Sequence, residues 1–134
     1  MVNRPLPVIN QDNRWHWEKL KEGIFVIQEC AGCKTRRWPI APVCYHCFSK
    51  EVELIQCEGI GTIDSWVVFH HSYYPYFADK LPYIVVQVKL AEGIRVTANL
   101  LNIDPSEVKI GMSVRLTYQQ VLNSDVILPQ FVPY

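Results

Sequence analysis

CAGCKTRRWPIAPVCYHC, residues 30–47, holds four of the chain's five cysteines in two Cys-x-x-Cys pairs separated by ten residues. A structural metal clip, a redox dithiol and a disulfide framework all use such patterns. Zn²⁺ takes four thiolates in a tetrahedron with Zn–S near ~2.3 Å, and a Cys-x-x-Cys on a tight knuckle presents two sulfurs at that reach. Cys30 with Cys33, and Cys44 with Cys47, then complete one site. The gap is shorter than the usual spacing of about 15–20 residues. It still suffices for a short hairpin stiffened by Pro39 and Pro42, with Gly32 relieving the first turn. A redox reading needs one Cys-x-x-Cys in a βαβ setting, and the surrounding sequence lacks it. Four thiolates leave no open coordination position, so the metal is expected to be structural. Iron is the alternative to zinc, since it also accepts four thiolates.

Upstream, Asp12 or Asn13 can cap a short helix over RWHWEKLKEG, with Gly23 at its end. Such a helix is too short to stand alone in water, so it must pack on something. Trp15 and Trp17 fall two apart and cannot share one narrow stripe. One of them facing a partner and both facing a core are equally open. Residues 1–12 carry Pro5, Pro7 and Asn10 and read as an extended arm, and IFVIQE (24–29) reads as a strand leading into the cysteines.

Downstream the texture is β. VELIQC, IGTIDSWVVFHH, YIVVQVKL, IRVTANL and SVRLTYQQV are rich in β-branched and aromatic residues and are separated by turn signals. In one separator Asp104 can cap a single helical turn with Pro105 at its first position. The tail VILPQFVPY carries prolines that forbid a central strand. Five strands in a small antiparallel module predict a closed barrel, the OB-fold being the common five-stranded case. The expected class is mainly β. Residues 1–50 form a helix and metal ribbon, and residues 51–134 form the barrel with its tail.

The chain has 134 residues, enough to bury a real core, and is 49% hydrophobic. Thirteen basic residues balance thirteen acidic ones, which argues against a partner bound through phosphate charge, such as generic DNA or RNA. No apolar run approaches the ~18 residues of a membrane span. The opening MVNRPLPVINQDNRWHW shows no apolar signal core. The expected compartment is the cytoplasm, where disulfides are rare and these cysteines are thiols.

Other residues divide between two readings. Lys34, Arg36 and Arg37 either offset the charge of a four-thiolate centre or grip an anion such as the phosphates of coenzyme A. Cys57 reads as a buried inert thiol, because no base or cation is visible to activate it as a nucleophile. HHSYYPYFADKLPY (70–83) is dense in aromatics with polar tips. These suit an interface or an acyl channel, and they equally suit a loop packed on its own side chains. If the preceding strand persists, His70 and His71 point to opposite faces. There is no Ser/His/Asp order, no HExxH and no phosphate-cradling glycine loop.

The order of parts resembles a known family: acyl-CoA-associated proteins with an N-terminal rubredoxin-like zinc ribbon and a C-terminal OB-fold. The resemblance covers about residues 13–133. It rests on WHWEKLKEGIFVIQECAGCKTRRWPIAPVCYHCFS, on FADKLPY at 77–83, on DPSEVKIGMSVRLTY and on the final LPQFVP. The family often carries Pro-Pro-Arg before the second knuckle, where this chain reads Pro39-Ile40-Ala41-Pro42. That departure leaves the cysteines intact but removes any contact the arginine would make.

The resemblance implies structural Zn²⁺ on Cys30, Cys33, Cys44 and Cys47. It implies a non-catalytic small subunit in a hetero-oligomer with a thiolase-superfamily large subunit (a thiolase, aldolase or acyltransferase), whose substrate is a coenzyme A thioester. The chain is similar to the zinc-finger small subunits of thiolases acting on benzoylsuccinyl-CoA-type substrates. His70, Tyr73, Tyr74 and Phe77 are then the residues expected to contact the acyl-CoA. The other reading is a nucleic-acid-binding module, since OB-folds and zinc ribbons both serve that end.

Overall fold

The computed structural model describes residues 3–134. The first two residues of the expected arm lie outside the described residues. Residues 3–10 run without regular structure into helix α1, Arg14–Lys21. Asn13 sits at the N-cap position but makes no side-chain cap bond. Its side chain instead accepts from the Asn10 N–H at 2.9 Å and donates to the Val8 carbonyl at 3.0 Å, which fastens the arm to the helix. The C-terminus follows expectation. Gly23 is left-handed at φ +74°. The Gly23 N–H reaches Leu20 O at 3.0 Å and the Ile24 N–H reaches Lys19 O at 3.1 Å, a Schellman closure.

Three strands make the ribbon sheet: β1 (Phe25–Cys30) in the centre, flanked by β2 (Arg36–Arg37) and β3 (Val52–Cys57). Five strands close the barrel in the order β4 (Ile60–Phe69), β5 (Tyr83–Leu90), β6 (Arg95–Leu100), β8 (Ile127–Pro133), β7 (Ser113–Gln120) and back to β4. The protein is mainly β, with a metal ribbon and a closed five-stranded OB barrel.

Two strand assignments differ from the sequence expectation. VELIQC belongs to the ribbon rather than the barrel: β3 runs antiparallel to β1 from Phe25↔Cys57 to Cys30↔Val52. The cysteine hairpin brings the chain back on itself, with the Ala31 N–H on Glu51 O at 3.0 Å, so pairing with β1 is the nearest ladder available. The proline-bearing tail supplies the fifth barrel strand in its place. β8 pairs with β7 over seven residues and meets β6 at the single parallel pair Leu100↔Phe131. Pro129 and Pro133 share the backbone phase of Phe131, whose carbonyl faces β6 and accepts from the Leu101 N–H at 2.8 Å. Their missing N–H groups therefore fall on the side where the ladder is nearly absent. There the buried Gln130 side chain accepts from the Asn99 N–H at 3.0 Å.

Ile63, Val86, Val88, Leu90, Val96, Val114 and Phe131 fill the barrel, and Leu20, Phe25, Ile27 and Cys57 from the helix and ribbon join the same buried cluster. One face of β1 thus closes onto the barrel. Gly61 marks the tightest approach: a Cβ there would lie 2.5 Å from the Lys89 carbonyl and 2.7 Å from Val88 Cγ1.

Candidate metal centre and adjoining clefts

The two Cys-x-x-Cys turns are built alike. In the first, the Cys30 N–H bonds Thr35 O and the Lys34 N–H bonds Cys30 O, both at 2.9 Å. In the second, the Cys44 N–H bonds Ser49 O and the Phe48 N–H bonds Cys44 O, again at 2.9 Å. The residue after each second cysteine is left-handed, Lys34 at φ 65° and Phe48 at φ 63°. Gly32, expected to relieve the first turn, is not among the left-handed glycines; Lys34 takes that role.

The four sulfurs lie within 4.8 Å of one another, with Cys30 Sγ 3.5 Å from Cys47 Sγ and Cys33 Sγ 3.6 Å from Cys44 Sγ. A tetrahedron with Zn–S of ~2.3 Å separates its sulfurs by about 3.8 Å, so the set fits such an ion. Backbone N–H groups support the thiolates: Cys33 N–H to Cys30 Sγ at 3.5 Å and His46 N–H to Cys44 Sγ at 3.4 Å. The Thr35 hydroxyl, 3.2 Å from Cys33 Sγ, holds that thiol down to about 5, helped by the Thr35 backbone N–H. All five cysteines are free thiols, so the disulfide framework is not formed.

The basic run beside the first knuckle is engaged within the chain. Arg37 is buried, donating to Gln28 Oε1 at 3.1 Å and to Ala41 O at 3.1 Å. Gln28 Oε1 also accepts the Ala41 N–H at 3.0 Å, so the pair fixes the inter-knuckle loop. Arg36 bonds Glu29 at 3.0 Å and the Glu92 carbonyl at 2.9 Å. Lys34 stays exposed, 3.9 Å from Glu53. Cys57 is buried beside Glu92, and burial pushes its thiol up to about 12, which leaves no thiolate for nucleophilic attack at neutral pH.

Loop 70–83 separates its aromatics into two sets. β4 ends at Phe69, so the condition for His70 and His71 to alternate across a strand is not met, and both are exposed. Tyr73 and Tyr74 are 74% and 55% exposed. Phe77 turns inward, its ring 5.2 Å from Tyr83, which stacks on Phe69 at 4.9 Å. Phe77 and Tyr83 line a cleft of about 320 Å³, whereas His70, Tyr73 and Tyr74 do not.

A larger cleft of about 540 Å³ lies where arm, helix, inter-knuckle loop, β6 and β8 meet. Two of its lining residues, His16 and Arg4, carry no signal in the sequence. His16 is 2% exposed and lines this cleft. It sits among Trp17, Phe25 and Trp38, with ring centroids at 5.5, 5.1 and 4.9 Å. Burial lowers its pKa to about 4 against the opposing pull of a bond to Val26 O. Trp15 and Trp17 are both half-buried: Trp17 packs on the core, and Trp15 Nε1 donates to Asp12 O at 2.9 Å. Arg4 lines both clefts, bonds Asn99 Oδ1 at 3.3 Å and lies over the rings of Tyr76 and Phe77. A lone histidine inside a Trp-rich helix carries no spacing signal, and an arginine in an arm gains its meaning only from the fold.

Comparison with known proteins follows the same division of the chain. Residues 17–53 match the family model described as the ChsH2 rubredoxin-like zinc ribbon domain, and residues 55–119 match the ChsH2 C-terminal OB-fold domain. A probable enoyl-CoA hydratase alpha subunit of Thermomonospora curvata is 41% identical over 97% of this chain. A 3-oxo-4,17-pregnadiene-20-carboxyl-CoA hydratase alpha subunit of Mycobacterium tuberculosis is 32% identical over 84% of it. The chain spans 40% and 35% of the length of those two relatives. A DUF35 domain-containing scaffold protein of Methanocaldococcus jannaschii is 30% identical, with 78% of this chain matching 75% of that protein. Among solved structures, a chain of the Ltp2-ChsH2(DUF35) aldolase superposes with a TM-score of 0.86 at 40% identity, covering 96% of this chain and 98% of that one.

Proposed function

Because this chain belongs to the ChsH2 zinc-ribbon and OB-fold family, we propose that it is a non-catalytic, zinc-holding scaffold subunit of an acyl-CoA enzyme. Its catalytic residues lie in a larger partner of the thiolase superfamily. The observation that carries the reading is the closed set of Cys30, Cys33, Cys44 and Cys47 on a ribbon that shares its core with an OB barrel. Four ligands leave no position for substrate, so the metal's work is to hold the ribbon's fold. The buried thiol of Cys57 is the other candidate for chemistry, and its environment keeps it protonated.

Relatives supply the class of work. One is named as a chain of an aldolase complex, and others as hydratase alpha subunits acting on coenzyme A thioesters. In this chain, the exposed His70, Tyr73 and Tyr74 face outward for a partner or a pantetheine arm, while Phe77 walls the smaller cleft. The nucleic-acid reading is not favoured: formal charge is zero, and Arg36 and Arg37 are committed to internal partners. Among the described residues no helix is long and apolar enough to cross a membrane. Four cysteines given to a metal and a fifth as a buried thiol suit a reducing compartment such as the cytoplasm.

Affinity capture of the tagged chain from its native host, with metal analysis of the eluate, tests the reading. The expected result is one zinc per chain and a near-stoichiometric thiolase-superfamily protein. Recovery of the chain alone, or with nucleic acid, overturns it.

A further inference from the structure

The smaller cleft, of about 320 Å³, carries charge of one sign. Its charged lining residues are Arg4 and Lys80, and among the described residues no carboxylate lines it. Phe77, Tyr83, Ile84, Leu100 and Ile103 supply apolar wall. The volume sits at the lower end of the range of about 300–1,000 Å³ typical of small-molecule sites, room for one aromatic ring or a short acyl chain.

The two cations come from distant parts of the chain, Arg4 from the arm and Lys80 from loop 70–83, and meet at one ring. Arg4 Cζ lies 5.6 Å and Lys80 Nζ 4.0 Å from the centroid of Tyr76. A ring face attracts a cation but carries no net charge, so the repulsion between the two is left uncompensated there. Arg4 is half-buried and has no carboxylate partner among the described residues. It gives one bond, from Nη2, to the neutral Asn99 Oδ1 at 3.3 Å. A guanidinium holds five N–H donors in a fork that matches a carboxylate or a phosphate. Lys80 donates to the Tyr76 carbonyl at 3.2 Å and pairs with Asp79 at 3.1 Å. The Asp79 side chain is 83% exposed and lies outside the cleft lining, and an exposed ion pair is weak enough for a better-placed anion to displace it. Folding thus gathers two positive charges at an apolar cavity and lines that cavity with no anion.

We propose that this cleft binds a small molecule with an apolar body and one acidic group, a carboxylate or a phosphate, held between Arg4 and Lys80. The site goes beyond the scaffold role, because it needs neither the cysteine centre nor a partner chain, and its failure on the isolated chain would leave that role standing.

The test uses the full zinc-loaded chain and three probes of similar shape: phenylacetate, benzyl phosphate and the uncharged phenylacetamide. In titration calorimetry at low salt, at least one anion is expected to bind saturably and about tenfold or more tighter than the amide, the range a charge-assisted hydrogen bond supplies. The tighter of the two anions tells a free organic acid from a phosphate ester as the source of the acidic group. Arg4→Gln and Lys80→Gln should each bring that anion to within about threefold of the amide, whose own binding stays unchanged. If a variant does not fold, salt decides on the wild type: about 0.5 M salt should weaken the anion and spare the amide. No saturable binding of either anion at millimolar concentration, equal binding of anion and amide, or a preference for the anion that survives either substitution or high salt overturns the proposal.

Discussion

The two cysteine knuckles and loop 70–83 are both short, irregular and rich in chemistry-bearing side chains, yet they are held in opposite ways. Each knuckle repeats the same backbone bonds at 2.9 Å and the same left-handed residue after its second cysteine, so the backbone sets where its sulfurs lie. Loop 70–83 is held through Phe77, against Tyr83 on one side and under Arg4 on the other, and leaves Tyr73 and Tyr74 in solvent. A closed metal centre defines its own surroundings, because four ligands within 4.8 Å satisfy one another through one ion. An aromatic loop with exposed tips takes its meaning from whatever covers it.

The largest effect expected from this contrast is on the knuckles. Cys44 is fully buried, and Cys44→Ser removes one of four ligands. Stripping zinc with a strong chelator should have the same outcome. The loss is on the order of several kcal/mol, a large share of a total stability of roughly 5–15 kcal/mol. Denaturant unfolding followed by circular dichroism, with zinc content measured on the same samples, checks it. A chain that keeps its unfolding midpoint after losing its metal would show the knuckles to be self-sufficient, and the contrast with the loop would fail.

His16 sharpens the comparison from the ribbon's inner side. In the unfolded chain its pKa is near 6.5, and burial brings it to about 4 in the fold. Between those values the unfolded state binds more protons, so this group's stability contribution is complete above pH 6.5 and falls as pH drops toward 4. The full effect is up to ~3 kcal/mol. Acid also protonates the cysteine ligands, so the informative quantity is the difference between wild type and His16→Phe. That difference should change across the window, in equilibrium unfolding at several pH values with zinc held in excess. A pH-independent difference would show that His16 is not held neutral by burial.

What the sequence made legible follows the same physical line. The metal ligands, the helix with its Gly23 stop and the Asp104 turn rest on local spacing, and local spacing survives folding. The placements of β3 and β8 depend on pairing between distant segments, and there the local signal misled. VELIQC has the composition of a barrel strand, but the hairpin through Cys44 and Cys47 delivers it to β1. Pro129 and Pro133 argue against a central strand only if both edges of that strand are laddered, and β8 meets β6 at one pair. His16 and Arg4 were invisible for a related reason. Each acquires its role from surfaces contributed by helix, loop, arm and barrel together.

Within loop 70–83, the anchor can be separated from the tips. Phe77→Ala removes a half-buried ring from between Tyr83 and Arg4, and should cost about 2 kcal/mol, below the range for a fully buried phenylalanine. Thermal unfolding checks this value. A change under about 0.5 kcal/mol, the scale of ordinary surface substitutions, would mean that the loop has no structural anchor.

Tyr73→Ala and Tyr74→Ala carry the smallest expected effect on the isolated chain, within about 0.5 kcal/mol, because both rings are already in solvent. Under the proposed function, their consequence should appear only in the complex with a partner, as altered kcat/KM for an acyl-CoA or as weakened binding of that partner. The two readouts separate two uses of the loop. A kinetic change with unchanged assembly points to contact with the substrate, and weakened assembly points to contact with the partner. If neither readout moves while Phe77→Ala destabilises the fold, loop 70–83 is a packed barrel-mouth connection. Its aromatic tips would then be incidental, and the outward contacts of this chain would have to be sought on another face.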